Sequence, residues 1–229
     1  PGTTAPRADM FTMGVEREII QDLAISTYFT GKFTRNLYAF DELNYVWDQN
    51  GYNRIATVDG TTNTYYRLRT PAIAQRNYYR ADASLLKVFS NRWEAQGSYS
   101  YTKSRGTTQT SPSSFLAVPG QLEYYYEGNL GTDITHDISA GFAWELPDDP
   151  WTTEVGGTIF LESGYPLSRY YDSAFGSILK DTVGTYARTE TWWKFSLLVK
   201  QAIPVRKGAL KGYLEIENVT NNRSGEFAS

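Results

Sequence analysis

His136 is the only histidine in the chain, so a Ser-His-Asp site would have to use it. It stands directly before Asp137, and the sequence contains no G-x-S-x-G turn to carry a nucleophilic serine. The chain also has no cysteine, which excludes cysteine nucleophiles, thiolate metal ligands and disulfides. We therefore interpret His136 as a polar residue that opens a strand.

Two pairs of carboxylates lie close together in the sequence, and paired carboxylates can share general acid and base roles. Asp148 and Asp149 stand between two prolines, which indicates a solvated turn. Glu16 and Glu18 are two positions apart, so in a strand both side chains point to the same face. Phosphate-loop, dinucleotide-binding, zinc-protease and calcium-loop motifs are missing from the sequence. We expect no enzymatic activity, no catalytic residue, no metal ligand and no cofactor.

Aromatic side chains in three long loop segments are the remaining candidates for ligand contact. Tyrosine offers a rigid contact surface with a polar tip, which suits sugars, peptides or protein partners. The same side chains could instead pack the loops into a cap, and both interpretations stay open at this stage. The candidate contacts are Tyr45, Trp47, Tyr124, Tyr125, Tyr126, Tyr170 and Tyr171.

The elements that carry these loops have the alternation of β-strands. From Trp93 to Tyr101 the odd positions hold Trp, Ala, Gly, Tyr and Tyr, whereas the even positions hold Glu, Gln, Ser and Ser. A period of two gives each strand two distinct faces. Turn residues divide the chain into eight such segments, joined alternately by short turns and long loops. The predicted strands are residues 9–20, 23–33, 78–89, 93–104, 133–146, 152–162, 191–203 and 210–220.

Short turns that alternate with long loops are typical of transmembrane β-barrels, whose periplasmic turns are short and whose extracellular loops are long. Aromatic residues also gather at both strand ends, as two interfacial girdles require, with Tyr99 and Trp193 on the loop side and Trp93 and Trp144 on the turn side. A soluble sandwich would explain the alternation but not the aromatic ends. The sequence therefore predicts an all-β, antiparallel transmembrane β-barrel in the bacterial outer membrane.

The alternation assigns an apolar face of these strands to lipid and the opposite, polar face to the lumen. The positions assigned to lipid include no acidic or basic residue, and they are Phe11, Met13, Val15, Leu23, Ile25, Phe29, Tyr79, Ala81, Ala83, Leu85, Ile138, Ala140, Phe142, Trp144, Val155, Gly157, Ile159, Leu161, Trp193, Phe195, Leu197, Val199, Leu210, Gly212, Leu214 and Ile216.

Composition agrees with this class and excludes others. The net charge is −3, with 22 basic residues scattered among 25 acidic ones, so no basic stripe is present to bind nucleic acid. The longest apolar run is 115–118, far below the about 20 residues that a transmembrane helix needs. The mean hydropathy of −0.47 is compatible with a barrel, because barrel strands are apolar on one face only. We expect outer-membrane lipid as a partner and no nucleic acid.

The positions that would face inward are small for a narrow barrel. An eight-stranded lumen is just wide enough for side chains to fill it, yet the inner face includes Ser84, Ser98, Ser139 and Gly141. Such residues suit a wide lumen that is wet or plugged. Because unpaired strand edges are not tolerated in lipid, we expect the eight strands to be one sector of a larger barrel.

Four motifs within residues 78–222 resemble, in the same order, motifs of the Oar-like group of TonB-dependent outer-membrane receptors. Residues 87–93 read KVFSNRW and resemble the KRFSNRW hairpin of that family, and 133–136 read DITH where the family has DRPH. Residues 163–166 read SGYP, like the family's SGxP, and 215–222 read EIENVTNN, like EVFNVFNN. Before residue 78 the chain shares no motif with the family and resembles it only in the alternating pattern of its strands.

The resemblance implies that residues 1–229 are part of one barrel domain of about 22 strands. Family members also carry a plug domain, a TonB box and further C-terminal strands, which this sequence lacks, and no signal peptide begins it. We therefore expect a mature, processed or partial chain.

The resemblance also implies a transporter that moves a substrate across the outer membrane, by uptake or export. A TonB-type energising partner would act through the plug, and other protein subunits are further candidate partners. The second hypothesis is a non-transport anchor or adhesion protein that displays long extracellular loops. The third is a soluble carbohydrate-binding sandwich.

Overall fold

The computed structural model describes residues 3–48, 54–107, 113–115, 127–148, 150–173 and 176–223. Within these ranges no helix is long and apolar enough to cross a membrane. The described strands are β1 (Arg7–Ile20), β2 (Leu23–Arg35), β3 (Tyr38–Glu42), β4 (Tyr45–Trp47), β5 (Arg54–Thr57), β6 (Tyr66–Arg69), β7 (Arg76–Ser90), β8 (Trp93–Gly106), β9 (Ser113–Phe115), β10 (Gly128–Asn129), β11 (His136–Glu145), β12 (Thr152–Glu162), β13 (Pro166–Leu167), β14 (Tyr170–Ser173), β15 (Gly176–Leu179), β16 (Ala187–Arg188), β17 (Trp192–Val205) and β18 (Gly208–Ile216).

One large sheet contains all eight long strands, in the order β1-β2-β7-β8-β11-β12-β17-β18. Every neighbouring pair along this path is antiparallel, and the short strand β10 adds to the loop end of β8. The eight predicted strands and the all-β, antiparallel fold class are therefore confirmed. Strand 152–162 has the bounds that the sequence predicts, and the strands of the first two hairpins extend slightly further than expected.

The last hairpin differs from the prediction, which placed a turn at residues 204–208. Pro204 lies inside β17 opposite Ala209, and the turn is Arg206-Lys207. Proline is accepted there because β12 begins at Thr152, which pairs with Ala202. Pro204 thus lies beyond the end of the neighbouring strand, where its missing N–H interrupts no ladder.

A two-residue turn closes the hairpin between β7 and β8. Asn91 and Arg92 both have positive φ angles, of 53° and 71°, and Ser90 pairs with Trp93. Two consecutive positive φ angles define a type I′ turn, whose twist matches that of the flanking strands. The asparagine favours this conformation because its short polar side chain tolerates the left-handed region.

The register joins the separately assigned strand faces into one continuous surface, the outer face. Ala83, Tyr99, Ile138, Leu161 and Trp193 are successive cross-strand partners from β7 to β17. All positions assigned to lipid fall on this face, and the polar positions fall on the opposite, inner face. The outer face also carries charged residues that the apolar assignment omitted, all toward strand ends: Arg7, Asp9, Arg17, Arg35, Lys87, Lys103 and Arg105.

The sheet does not close on itself within the described chain. β1 pairs only with β2, and β18 pairs only with β17, so both outer edges of the sheet are open. All residues of both edge strands are solvent-exposed. An open edge is not tolerated in lipid, which favours the prediction that these eight strands are one sector of a larger barrel.

The segments predicted as long loops contain short strands of their own. β3 pairs with β6 and β9, β4 with β5, β13 with β16, and β14 with β15. A small buried cluster joins the first loop to the third through Leu37, Ala74, Leu179 and Val183. The loop end is therefore a packed cap above the sheet.

Candidate functional site

The inner face borders a cavity of about 480 Å³ toward the turn end of the sheet. Its lining comes from six neighbouring long strands, so the sheet is concave on its polar side. Gln96, Gly141, Thr158 and Ser196 form one cross-strand row in the lining, and the absence of large side chains in this row leaves the space open. The shape agrees with the predicted wide lumen.

Carboxylates dominate the charge of this cavity. Glu94, Glu154 and Glu215 line it, and Glu154 accepts a hydrogen bond from Lys200 Nζ at 2.6 Å. Lys87 also contributes to the lining, but its side chain lies on the outer face, where the ammonium lies over the Trp93 ring and donates to Ser90 Oγ and to the Val88 carbonyl. No group of three or more candidate metal ligands occurs in the part of the chain that the structure describes.

A second polar network lies on the inner face nearer the loops. Arg80 Nε donates to Asp82 Oδ1 at 2.7 Å, and Arg80 Nη2 donates to Ser100 Oγ at 2.7 Å. Ser100 Oγ in turn donates to Asp82 Oδ1 at 2.6 Å. The three side chains satisfy one another and rigidify neighbouring strands. Because Ser100 donates directly to a carboxylate, with no histidine between them, the arrangement lacks the base of a serine nucleophile.

His136 opens β11, as the sequence predicts, and its ring belongs to the outer face. Tyr99 and His136 Nδ1 share a hydrogen bond of 2.9 Å, and the ring centroids of Tyr101 and His136 are 5.6 Å apart. Asp137 lies on the inner face, opposite Ser100. The histidine and the neighbouring carboxylate thus point to opposite sides of the sheet, and His136 contributes to the loop-side aromatic girdle.

The predicted carboxylate pairs make local structural contacts. Glu16 accepts the hydroxyl of Tyr28, and Glu18 Oε1 accepts the N–H of Asp22 at 3.0 Å. Asp148 accepts hydrogen bonds from the side chain and the main chain of Thr153, and these lower the pKa of its carboxyl. Asp149 lies outside the described residues.

The loop aromatics predicted as ligand contacts lie in different environments. Tyr45 is half-buried, its hydroxyl donates to the Thr62 carbonyl at 2.9 Å, and Arg54 lies over its ring at 4.8 Å. Tyr170 is exposed on β14. Trp47 ends β4 and Tyr171 lies in β14. The predicted contacts at 124–126 fall outside the described residues. The ligand role of this set stays a prediction.

Asp133 is an important residue that sequence analysis misread, because residues 133–135 precede β11 rather than beginning it. Its fully buried carboxylate accepts the Ser104 N–H at 3.0 Å and Arg188 Nη2 at 2.5 Å. Lys103 Nζ lies 3.5 Å away. Asp133 therefore fills the gap in the β8 ladder between β10 and β11 and attaches the third loop to it. The sequence feature that could have pointed to Asp133 is its position as the first residue of the motif DITH, which resembles the DRPH motif of Oar-like receptors.

The sheet is antiparallel, with an apolar outer face and aromatic strand ends, and it has short turns at one end and long loops at the other. These are the features of the wall of an outer-membrane β-barrel. Residues 1–190 match the family model described as "Outer membrane beta barrel domain", and the chain belongs to this family. It is a protein of the bacterial outer membrane. No curated protein and no solved structure gives a significant match. The finer resemblance to Oar-like receptors stays a prediction.

Proposed function

We propose that the chain forms part of the barrel wall of a TonB-dependent transporter. Such a protein moves a substrate across the outer membrane when an energised inner-membrane partner acts on a plug inside the lumen. The observation that carries the proposal is the exposure of apolar side chains on the inner face. Leu86 is 52% exposed and Phe160 is 41% exposed there. A plug domain would cover them, whereas a water-filled pore would leave them in solvent.

The width of the lumen supports the same proposal. The inner row Ser26, Ser84, Ser98 and Ser139 crosses four neighbouring strands without one large side chain. These residues leave an unfilled surface rather than the packed interior of a small closed barrel. Together with the open sheet edges, they favour a large barrel of about 22 strands around a plug.

Labelling of single cysteines tests this proposal, because the native chain has no cysteine to interfere. Thr158→Cys places a thiol on the inner face beside the cavity, and Ile159→Cys places one on the outer face of the same strand. Cells that carry either variant are treated with a membrane-impermeant maleimide. We expect Thr158→Cys to react when the inner membrane is energised and to be shielded after a protonophore collapses the proton gradient.

Ile159→Cys serves as the matched control, because lipid shields it under both conditions. Equal labelling of Thr158→Cys with and without the proton gradient would contradict energised transport. Labelling of Ile159→Cys together with Thr158→Cys would show instead that the barrel wall is incompletely assembled.

A surface anchor or adhesion protein is the second candidate, and one observation favours it. In the first loop Ile55 is 64% exposed and Val58 is 72% exposed, above the membrane and away from lipid. Exposed apolar side chains of this kind suit contact with another protein. An anchor predicts that labelling of Thr158→Cys is independent of the proton gradient and that Ile55→Asp together with Val58→Asp abolishes cell attachment.

The denatured intact mass of the protein from native outer membranes tests how the wall is completed. A mass several-fold above 25.9 kDa would place the remaining strands and a plug on the same polypeptide. A mass near 25.9 kDa would require a second chain for the missing strands and would favour the anchor.

A further inference from the structure

Two aromatic side chains are exposed on the lumen side at the loop end of the sheet. Trp192 begins β17 and pairs with Glu162, which lies on the inner face opposite Asp137, so Trp192 belongs to the inner face too. Its neighbour Trp193 lies on the outer face, in the loop-side girdle. Trp192 is 39% exposed and Tyr165 is 43% exposed. Because a tryptophan that faces the lumen meets no lipid headgroup, the girdle does not explain Trp192.

Tyr165 is held beside the same strand end by main-chain and side-chain contacts. Its N–H donates to Thr189 Oγ1 at 2.8 Å, and its carbonyl accepts the Thr189 N–H at 2.9 Å. The Tyr165 hydroxyl donates to the carboxylate of Glu162, and this hydrogen bond raises the pKa of the hydroxyl. Tyr165 therefore reaches Glu162 from the third loop, whereas Trp192 reaches it from the neighbouring strand.

The faces of these two rings are open. Within the described residues, no second ring and no basic side chain lies over Trp192 or Tyr165. Other exposed rings of the cap are covered by a cation, since a guanidinium lies 4.8 Å from the ring centroid both at Tyr45 and at Tyr186. An aromatic face carries negative electrostatic potential and attracts a cation. The rings of Trp192 and Tyr165 are therefore available to a cation from outside the described chain.

The carboxylates beside the rings carry charge that no basic side chain neutralises. Asp137 and Glu162 lie directly opposite each other on neighbouring strands, an arrangement of like charges that destabilises a sheet. Neither has an ion-pair partner within the described residues. Lys194, two residues from Trp192 on the same strand, already binds Glu217 at 2.5 Å. The site thus combines open ring faces with uncompensated negative charge, and both features are complementary to a cation.

We propose that Trp192, Tyr165, Asp137 and Glu162 form a cage that binds an organic cation, an ammonium group on an alkyl stem, at the mouth of the lumen. The carboxylates accept its N–H groups, and the rings contact both the charge and the stem. An inorganic divalent cation fits less well, because the described residues contain no group of three candidate metal ligands. The cage deepens the proposed transport function by naming a substrate class, and it rests on that function only for what happens after binding.

Isothermal titration calorimetry of the full-length protein in a non-ionic detergent tests the cage. The probes are two capped tripeptides, alanine-lysine-alanine and alanine-norleucine-alanine, which differ only in the ammonium group, and magnesium chloride serves as an inorganic competitor. Trp192→Leu removes a ring, and Glu162→Gln removes a charge while keeping the side-chain shape. The matched control is Trp193→Leu, which removes the neighbouring ring from the outer face. Heat-modifiable migration establishes that each variant is assembled, and Glu162→Gln carries the test if Trp192→Leu does not assemble.

We expect the native protein to bind the lysine peptide at least about tenfold more tightly than the norleucine peptide. Trp192→Leu and Glu162→Gln should each weaken binding of the lysine peptide about threefold to tenfold, while Trp193→Leu binds it like the native protein. Equal binding of the two peptides, no binding of either, or equal losses in Trp192→Leu and Trp193→Leu would overturn the proposal. Displacement of the lysine peptide by millimolar magnesium would overturn it too, because the site would then accept an inorganic cation. None of these results bears on the gradient-dependent labelling of Thr158→Cys, so the transport proposal fails or stands separately.

Discussion

Substitution of Ile159 by arginine tests the assignment of the two sheet faces. Ile159 lies on the outer face of β12, with Ala140 and Phe195 as cross-strand partners. The aromatic girdles bracket it, since Leu161 pairs with Trp193 toward the loops and Val155 pairs with Trp144 toward the turns. Ile159 is thus within about one residue, or about 3 Å along the strand, of the midpoint between these rows.

The expected cost follows from this depth. A lipid-facing arginine near the bilayer midplane destabilises a barrel by about 2–4 kcal/mol, which is about thirtyfold to several hundredfold in the unfolding equilibrium. Thr158→Arg is the matched control on the adjacent inner-face position. Its side chain enters a cavity of about 480 Å³ lined by Glu154. We therefore expect a change of no more than about 0.5 kcal/mol for that variant.

The assay is reversible guanidinium unfolding of the full-length protein in lipid vesicles, followed by tryptophan fluorescence and heat-modifiable migration. We expect Ile159→Arg to lower the denaturant midpoint and Thr158→Arg to leave it nearly unchanged. A larger loss for Thr158→Arg than for Ile159→Arg would refute the face assignment. Equal losses would show that the lumen is as intolerant of charge as lipid.

Three further predictions concern the loop end and the turns. In a double-mutant cycle of Asp133→Asn and Arg188→Gln, unfolding measurements should give a coupling energy of about 1.5–3 kcal/mol, because the buried carboxylate depends on this partner; additive effects would contradict this. The pKa of Asp148 is lowered by Thr153, so its contribution to turn stability is complete above its unfolded value of 3.8 and is lost as the pH falls through the lower folded pKa. The hydrogen-exchange protection factors of the turn, which correct for the intrinsic exchange rate at each pH, should therefore fall in acid, and in Asp148→Asn this fall should disappear. Asn44→Ala removes two hydrogen bonds donated by its amide and one accepted from Asp59, so proteolysis of the first loop should accelerate while the main sheet keeps its denaturant midpoint.

Much of the main sheet is predictable because its signals are local. Alternation with a period of two identifies both faces of a strand from neighbouring residues alone. Turn residues such as Asn91 locate the hairpins, because they favour conformations that strand residues avoid. The short turns also determine which strands are adjacent, since consecutive antiparallel strands joined by few residues have no other way to pair.

Contacts between distant loop residues were not predictable in this way. Asp133 and Arg188 are 55 positions apart, and no local pattern indicates that one loop folds onto the other. The same holds for the cap cluster of Leu37 and Leu179. Irregular segments have no periodicity that limits their possible partners, so only packing determines which side chains meet.

The sequence by itself thus determined the fold class, the strand positions and the polarity of each strand. The tertiary structure decided the cross-strand register, which joins eight separate faces into one outer and one inner surface. It also decided the cavity and the open edges of the sheet. These features depend on hydrogen bonds between strands rather than on the preferences of single residues, because a ladder sets the relative height of side chains far apart in the chain.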